Sequence, residues 1–291
     1  MTRVCFVGLG KMGAPMAGNL VKGGLDVIGY DLVSSLREAA RELSVQTAEA
    51  LPEALENVDI VLTMLPSGAS VLAVTQQCLP LVKAGTLFID CSTIDVETSR
   101  QIHATLAAAG MSSLDAPVSG GTAGANAATL TLMCGGDEAA FSKAEPLLQK
   151  LGRLAVYCGP AGCGQAAKIC NNMVAGVIMA VTAEAFVLGD RLGLDPKKLF
   201  DVMSTSSGGS NVLTRSCPVP GIVAGSASSR EYRPGFSAAL MHKDLLLSQA
   251  AAASVDLRST LGATAMRVFD DLLKSEHGAL DYAAIIKIID Q

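Results

Sequence analysis

The sequence predicts an α/β protein in which a domain with a parallel sheet is followed by an all-helical domain. Short apolar runs alternate with longer helix-like stretches in the first part of the chain, and a glycine-rich turn follows the first run. The alternation stops after Gly159-Pro160-Ala161-Gly162. Strands separated by crossover helices form parallel sheets that are covered on both faces. We therefore expect two domains, residues 1–161 and 162–291.

Seven apolar runs are the predicted strands of the first domain: Arg3 to Val7, Asp26 to Tyr30, Asp59 to Met64, Thr86 to Asp90, Ser113 to Ala116, Thr129 to Cys134 and Leu154 to Tyr157. The second domain is predicted to begin with a long helix from about Cys163 to Gly189, which joins the two domains. Gly193-Leu194-Asp195-Pro196 signals a turn and the start of another helix. The segment from Ser204 to Gly235 is rich in Ser, Gly and Pro, and we expect an ordered surface connection there.

The composition disfavours several classes of protein. The 291 residues are half apolar, which is enough to bury the cores of two ordinary domains. The 27 acidic residues exceed the 22 basic ones and no dense basic run occurs, so nucleic-acid binding is not expected. The most apolar stretch, Met173 to Ala183, is shorter than the roughly 18 residues of a bilayer span, so no membrane segment is expected.

The eight cysteines are spread along the chain. The closest of them, Cys158, Cys163 and Cys170, match neither a redox pair nor the ligand spacing of a zinc site. We expect reduced thiols, an intracellular compartment and no metal site. A strand that begins at Arg3 leaves no room for a signal peptide, so the expected location is the cytoplasm, or the mitochondrial matrix if a leader has been removed.

The first motif that carries chemistry is Gly8-Leu9-Gly10-Lys11-Met12-Gly13. It follows the first predicted strand directly and precedes a helix-like run, Ala14 to Lys22. Glycines at this spacing allow a tight turn and the close approach of a pyrophosphate to backbone N–H groups at a helix N-terminus. Because strand, turn and helix coincide, the motif predicts a Rossmann-type dinucleotide-binding domain.

The end of the second predicted strand indicates which dinucleotide is bound. Asp31 lies roughly 20 residues beyond the glycines, where a carboxylate accepts hydrogen bonds from the ribose hydroxyls of the adenosine. The same carboxylate repels a 2′-phosphate, and the next residues, Leu32-Val33-Ser34-Ser35, include no arginine. We therefore expect NAD rather than NADP, with Asp31 as a simple turn residue as the alternative.

Two further motifs are candidates for a substrate site. Asp115-Ala116-Pro117-Val118-Ser119-Gly120-Gly121 ends a predicted strand, and its hydroxyl and backbone N–H groups are suited to a carboxylate, although a plain turn explains it equally well. In the run from Gly164 to Asn172, Lys168 and Asn172 are four residues apart and share one helical face. That spacing alone fits an ordinary surface lysine better than a catalytic one.

Taken in order, these motifs make the sequence similar to the beta-hydroxyacid dehydrogenase family over essentially the whole chain. Two further stretches carry the resemblance, Arg191-Leu192-Gly193-Leu194-Asp195-Pro196 and Met241-His242-Lys243-Asp244-Leu245. The resemblance implies an NAD-binding domain, a long connecting helix and an all-helical domain, with Lys168 as the general acid/base. A lysine that acts as a base must lose its proton, which burial and the positive charge of oxidised nicotinamide both favour.

The resemblance also assigns roles to the remaining site residues. Ser119, Gly120 and Gly121 would hold the substrate carboxylate, and Asn172 would form a hydrogen bond near the reacting hydroxyl. The residues at the positions that contact the nicotinamide half of the cofactor are Leu65, Pro66, Ser70, Thr93 and Lys243.

The implied reaction is the NAD-dependent oxidation of a small 3-hydroxy acid by a homodimer or homotetramer. The first expectation is 3-hydroxyisobutyrate, oxidised to methylmalonate semialdehyde in valine breakdown, and the alternative is L-serine or a related 3-hydroxy acid. Reduction of glyoxylate or succinic semialdehyde with NADPH is less favoured, because such relatives have Asn-Arg where this chain has Asp31-Leu32. A non-catalytic NAD-binding protein is disfavoured by the presence of both Lys168 and Asn172.

Two segments depart from the family pattern. Ala127-Ala128-Thr129-Leu130 stands where many relatives have a glycine before Thr-Leu, and we expect an effect on a turn only. Ser210-Asn211-Val212 lacks the bulky group that often follows Ser-Ser-Gly. That region lies near the substrate pocket in the family, so this difference bears on which acid is preferred.

Overall fold

The computed structural model describes residues 2–290, and its first unit, which ends at Lys168, is built on a nine-stranded sheet. The strands are β1 (Arg3–Val7), β2 (Asp26–Tyr30), β3 (Gln46–Thr47), β4 (Ile60–Thr63), β5 (Leu87–Asp90), β6 (Ser112–Asp115), β7 (Val118–Ser119), β8 (Leu130–Gly136) and β9 (Gly152–Gly159). Their order in the sheet is β3-β2-β1-β4-β5-β6-β8-β7, and β9 pairs with β8. The α/β class and the parallel arrangement of β1 to β6 are as predicted.

The direction of the last strands differs from the simple parallel expectation. Strand β8 runs antiparallel to both β6 and β7, whereas β9 runs parallel to β8. No crossover helix long enough to return the chain lies between β6 and β8, because only β7 and a seven-residue helix separate them. The chain therefore enters β8 from the opposite end of the sheet.

Seven helices connect these strands. They are α1 (Gly13–Lys22), α2 (Ser34–Glu42), α3 (Leu51–Ala54), α4 (Gly68–Cys78), α5 (Val96–Ala108), α6 (Gly121–Ala127) and α7 (Glu138–Leu151). The alternating side chains of β1 show how the sheet is covered. Val4 and Phe6 belong to one buried apolar cluster, while Cys5 and Val7 belong to another. Because successive residues of a strand point to opposite faces, both faces of the sheet are buried.

The long helix α8 (Cys163–Arg191) continues from the first unit into the second, which begins at Ile169. It is followed by α9 (Pro196–Thr205), α10 (Asn211–Ser216), α11 (Ala238–Ser254), α12 (Thr260–Lys274), α13 (Ile286–Ile289) and two short 3-10 helices, Ser228–Arg230 and Tyr282–Ile285. The all-helical character of this part of the chain is as predicted. The expected boundary between residues 161 and 162 remains a prediction.

The second unit has an apolar core of its own. Helix α8 contributes Met179 and Ala183, α11 contributes Met241, and α12 contributes Phe269, and all four side chains are buried. The segment rich in Ser, Gly and Pro is ordered, since it contains α10 and the buried side chains of Cys217 and Tyr232. The hydroxyl of Tyr232 donates to the carbonyl oxygen of Pro218 over 2.7 Å, which holds the segment together.

Helix α8 is long and apolar enough to cross a bilayer by length and composition alone. It has 29 residues, whereas the apolar run recognised in the sequence covers only its middle. The buried core helix of a soluble protein meets the same criterion, and 44% of the apolar window is buried. The expected absence of a membrane segment therefore stays a prediction.

Candidate active site

The glycine-rich turn joins β1 to α1 and is packed against the backbone of the first unit. Gly8 has φ of +97°, and a Cβ at this position would lie 2.3 Å from the carbonyl oxygen of Met64. A Cβ on Gly13 would lie 1.8 Å from the carbonyl oxygen of Gly8. Around Gly10, by contrast, a Cβ would meet nothing within 4 Å. The turn is therefore closed on the protein side and open at Gly10, as the close approach of a cofactor pyrophosphate requires.

Gly13 and Gly10 give a matched test of this turn. Gly13→Ala is expected to destabilise the protein by about 3 kcal/mol, because its Cβ overlaps a backbone oxygen. Gly10→Ala should leave stability within about 0.5 kcal/mol, since the protein offers nothing to clash with. It should nevertheless raise the Kd for NAD about tenfold or more by blocking the pyrophosphate. Urea denaturation and calorimetric titration measure both effects, and unchanged NAD binding by Gly10→Ala would contradict this placement.

Asp31 lies beside the glycine-rich turn at the end of β2. Its Oδ2 accepts a hydrogen bond from the backbone N–H of Leu9 over 2.8 Å, and its Oδ1 accepts from the N–H of Val33 over 2.9 Å. The backbone N–H of Gly8 donates to the carbonyl oxygen of Tyr30, which extends the pairing of the two strands into the turn. Two backbone donors thus orient the carboxylate that was predicted to bind the adenosine ribose.

The loops after β4 and β5 are tied to the start of α8 by side-chain hydrogen bonds. The N–H of Leu65 donates to Ser92 Oγ over 2.8 Å. The fully buried side chain of Gln165 accepts from the N–H of Ile94 over 3.1 Å and donates to the carbonyl oxygen of Ser92 over 2.8 Å. Thr93 lies between the two residues that Gln165 holds. Two of the predicted nicotinamide contacts, Leu65 and Thr93, are therefore fixed relative to the beginning of α8.

The remaining predicted cofactor residues of the first unit lie around the start of α4. Pro66 is exposed and directly precedes Ser67, whose Oγ accepts a hydrogen bond from the N–H of Ser70 over 3.2 Å. The hydroxyls of Ser67 and Ser70 are 2.9 Å apart. Ser70 is thus part of the first turn of the helix, with its hydroxyl near the loop that contains Leu65.

Asp115, at the end of β6, anchors the first turn of α8. Its Oδ1 accepts from the N–H of Gly162 and its Oδ2 accepts from the N–H of Gln165, each over 2.8 Å. The ring of His103 lies 3.0 Å from the same Oδ1 and is itself held by Ser113 Oγ over 2.7 Å. The Asp115 side chain is 1% exposed. A buried carboxylate at a helix N-terminus satisfies backbone donors and is stabilised by the helix dipole.

A second buried carboxylate, Asp90, ends β5. Its Oδ1 accepts from Thr63 Oγ1 over 2.7 Å and from the N–H of Ser92 over 3.0 Å. Its Oδ2 has no hydrogen-bond partner among residues 2–290. Burial raises the pKa of Asp90 above its ordinary value, and the neighbouring Asp115 adds to this shift. This carboxyl therefore holds its proton to higher pH than an exposed aspartate does.

Lys168 is placed beside the predicted carboxylate-binding turn. Its side chain is 6% exposed, and its Nζ donates to the carbonyl oxygen of Val118 over 2.8 Å. Val118 directly precedes Ser119, which ends β7, and Gly120 and Gly121 follow with φ of +136° and +62°. The structure thus brings together the candidate acid/base and the turn with the candidate carboxylate ligands.

In the second unit, Asn172 belongs to a buried polar cluster centred on Asp244. The side-chain amide of Asn172 donates to Asp244 Oδ2, and Lys243 Nζ lies 3.7 Å from Asp244 Oδ1. Asn171 donates to the side-chain oxygen of Asn172 over 2.9 Å. Asn172 and Asp244 are 5% and 2% exposed. Asp244 therefore contacts both Asn172, a predicted substrate residue, and Lys243, a predicted cofactor residue.

The two remaining histidines, His242 and His277, each lie near one carboxylate outside the candidate site. His242 lies 3.8 Å from Asp270 and His277 lies 3.8 Å from Glu276. Within residues 2–290, the His, Cys, Asp and Glu side chains form no group that could hold a metal ion. The predicted absence of a metal site stays a prediction.

The two departures from the family pattern have local structural consequences. Ala128 takes the left-handed conformation with φ of 54° at the end of α6, where a glycine would carry no steric cost. Ser210 caps α10, since its Oγ accepts from the N–H of Leu213 over 3.0 Å. The first difference thus lies in a turn, and the second lies at the start of a short helix.

Comparison with known proteins gives the family. Residues 3–159 match the model of the NAD-binding domain of 6-phosphogluconate dehydrogenase. Residues 162–289 match the model described as NAD-binding of NADP-dependent 3-hydroxyisobutyrate dehydrogenase. The probable 3-hydroxyisobutyrate dehydrogenase of Mycobacterium tuberculosis is 44% identical over 98% of this chain and 97% of its own length. The chain belongs to the beta-hydroxyacid dehydrogenase family.

Two further relatives of this beta-hydroxyacid dehydrogenase show what the family includes. The NAD-dependent L-serine dehydrogenase of Pseudomonas aeruginosa is 41% identical over 100% of this chain and 98% of its own length. The solved structure of M. tuberculosis 3-hydroxyisobutyrate dehydrogenase with L-serine is 43% identical, has a TM-score of 0.95 and covers 100% of both chains. The protein is an oxidoreductase, and its cofactor is NAD. The orientation of Asp31 agrees with that cofactor.

Several residues of the site were not recognised from the sequence. Asp115 and Asp244 belong to the motifs Asp115 to Gly121 and Met241 to Leu245, and a charged residue within an apolar motif is the signal that could have marked them. Gln165 and His103 carry no such signal, because their partners are distant in sequence. Arg37 lies two residues beyond Ser35, and its Nη1 donates to the carbonyl oxygen of Asp31 over 2.6 Å.

Proposed function

We propose that this protein oxidises 3-hydroxyisobutyrate to methylmalonate semialdehyde with NAD, with Lys168 as the general base. One observation carries the proposal: Lys168 Nζ is held 2.8 Å from the carbonyl oxygen of Val118, at the start of the turn formed by Ser119, Gly120 and Gly121. A 3-hydroxy acid with its carboxylate on that turn carries its hydroxyl on the third carbon, counted from the carboxyl carbon. That short spacing suits a lysine held directly beside the turn.

The chain's own residues then have distinct roles. Ser119 Oγ and the N–H groups of Gly120 and Gly121 bind the carboxylate, while Asn172 orients the reacting hydroxyl. Lys168 takes the hydroxyl proton as the alcohol is oxidised and returns it in the reverse reaction. NAD, when bound, would supply the hydride acceptor for the hydroxyl-bearing carbon. Asn172 is preorganised for its role, since Asp244 already fixes its amide.

L-Serine is the second candidate substrate. It has the same carboxylate and hydroxymethyl group, and an ammonium replaces the methyl group on the central carbon. Two relatives favour it, the L-serine dehydrogenase of P. aeruginosa and the M. tuberculosis structure with L-serine. Reduction of glyoxylate or succinic semialdehyde with NADPH is less favoured, because Asp31 repels a 2′-phosphate. The buried, oriented Lys168 weighs against a non-catalytic role.

The experiment that tests the proposal is the initial rate of NADH or NADPH formation by the purified protein. The substrates are 3-hydroxyisobutyrate, L-serine, 4-hydroxybutyrate and glycerate, each with NAD and with NADP. We expect the highest kcat/KM with 3-hydroxyisobutyrate and NAD, and almost none with 4-hydroxybutyrate, whose hydroxyl lies one carbon too far from the carboxylate. A higher kcat/KM with L-serine would replace the first substrate by the second. No turnover with any of the four would contradict the proposed reaction.

We also propose that the protein is a homodimer or a homotetramer. Val174, Val181 and Leu188 of α8 are seven residues apart and 52%, 54% and 60% exposed. Residues at this spacing lie on one face of a helix, so α8 presents an apolar stripe. A stripe of this kind supports association through helices of the second unit.

For the compartment, we propose the cytoplasm, with the mitochondrial matrix as the alternative. All eight cysteines are free thiols, and four of them, Cys5, Cys78, Cys91 and Cys134, are buried in the first unit. Burial raises the pKa of the Cys78 thiol to about 12, so it stays protonated at neutral pH. Unpaired thiols in this number support a reducing compartment.

A further inference from the structure

Two arginines and a glutamate lie immediately beyond Asp31. Arg37 of α2 is largely buried, and its Nη1 donates to the carbonyl oxygen of Asp31 over 2.6 Å. Its Nη2 is 2.5 Å from Glu49 Oε2. Its Nε has no hydrogen-bond partner within the part of the chain that the structure describes. This guanidinium is therefore adjacent to the residue that is predicted to bind the adenosine ribose.

Glu49 holds a second guanidinium with its other oxygen. Arg41 Nη2 lies 2.7 Å from Glu49 Oε1, and Arg41 Nε donates to Thr47 Oγ1 over 2.7 Å. The hydrogen bonds from Arg37 and Arg41 lower the pKa of Glu49, so this carboxyl is ionised at neutral pH. A single carboxylate thus pairs with both arginines of this surface.

These contacts matter for the choice between the two nicotinamide dinucleotides. NADP differs from NAD by a phosphate on the adenosine ribose, and proteins that bind it place an arginine near the end of the second strand. Arginine suits this task because its planar guanidinium binds phosphate through two hydrogen bonds. Here two arginines lie close to that position, but both are already engaged by Glu49.

We propose that Glu49 is a specificity-determining residue that favours NAD by keeping Arg37 and Arg41 from a 2′-phosphate. The proposal rests on the placement of the adenosine ribose at Asp31. Glu49 pairs with both guanidinium groups, and the Asp31 carboxylate adds a second negative charge beside that ribose. The carboxylate of Asp31 therefore repels a 2′-phosphate, and the charge of Glu49 weakens the attraction of Arg37 and Arg41 for it. Removal of the Glu49 charge leaves a net positive site with a buried, preoriented arginine.

The position of Glu49 makes this inference easy to test without loss of the fold. Its side chain is 66% exposed, so a glutamine of the same size leaves no cavity. Its backbone N–H donates to Glu53 Oε2 over 3.2 Å, a contact that a change of side chain at residue 49 keeps. Glu42 of α2 is also exposed and provides a matched control, because Glu42→Gln changes the net charge by the same amount.

The experiment compares the binding of adenosine 2′,5′-bisphosphate and of 5′-AMP by calorimetry, with no substrate or turnover involved. In Glu49→Gln the Kd for 2′,5′-bisphosphate is expected to fall about fivefold, the size of one exposed ion-pair interaction. The Kd for 5′-AMP should stay within about twofold in both variants. In Glu42→Gln the Kd for 2′,5′-bisphosphate should also stay within that range. Arg37→Gln added to Glu49→Gln should remove the gain.

Three outcomes would overturn the proposal. Glu49→Gln could bind the 2′,5′-bisphosphate no better than the wild type, or Glu42→Gln could improve it equally, which would indicate a general charge effect. Asp31→Ala could bind NAD as tightly as the wild type, which would refute the ribose placement on which the proposal rests. Because none of these measurements needs a hydroxy acid, they are independent of the proposed substrate.

Discussion

Replacement of Lys168 by methionine is expected to lower kcat for 3-hydroxyisobutyrate by about 10³–10⁴-fold, the upper range for loss of a general acid/base. Methionine keeps the length and apolar stem of the side chain but removes the amine that donates to the carbonyl oxygen of Val118. No side chain is then placed to take the hydroxyl proton of the alcohol during its oxidation. The Kd for NAD should change little, because the glycine-rich turn and Asp31 lie elsewhere in the first unit.

The controls for this variant separate chemistry from folding. Lys197→Met removes an amine from the exposed surface of α9, where Lys197 pairs only loosely with Asp201 at 3.6 Å, and should leave kcat unchanged. Lys168→Ala should recover part of its activity when methylamine is added, since a small amine can occupy the space of the missing one. Undiminished turnover by Lys168→Met would rule out Lys168 as the acid/base, whatever the substrate is.

Much of the first unit could be predicted because its signals are local. The glycine-rich turn, the strand before it and the helix after it are contiguous in sequence, and the structure places β1 and β2 at the predicted Arg3–Val7 and Asp26–Tyr30. An apolar run does not reveal strand direction, however, so the antiparallel pairing of β8 with β6 was not foreseen. The two-residue strands β3 and β7 are too short to show any period of alternation.

In the candidate site, too, motifs that are contiguous in sequence could be predicted, whereas contacts between residues far apart in sequence could not. The motifs made Lys168 and the turn at Ser119 candidates, and the family resemblance gave them their predicted roles. Neither indicated the hydrogen bond between Lys168 and Val118, which are 50 residues apart. The paired arginines illustrate the limit further. Glu49 is 12 residues from Arg37, and a carboxylate at that distance carries no sequence signal. Such contacts arise only when β3 folds beside β2.

Asp115 provides the second large effect, because it positions the helix turn that precedes Lys168. Asp115→Ala leaves the buried N–H groups of Gly162 and Gln165 without their acceptor, at an expected cost of about 3 kcal/mol in the free energy of unfolding. It also frees the first turn of α8, so that the amine of Lys168 is less well aligned with the substrate. A misplacement of this kind should reduce kcat by about 10²-fold.

Measurements well below the Tm of the variant distinguish this positioning role from a general loss of structure. The Kd for 5′-AMP should be unchanged in Asp115→Ala, because the adenosine half is proposed to bind at Asp31, far along the sheet order from β6. Asp115→Asn keeps one carbonyl acceptor and should recover part of kcat. Ser113→Ala removes the contact with His103 but leaves both hydrogen bonds that Asp115 accepts from Gly162 and Gln165, so its kcat should match the wild type. Equal losses in kcat and 5′-AMP affinity would indicate that Asp115 supports the whole unit, whereas a loss in kcat alone assigns it to the alignment of Lys168.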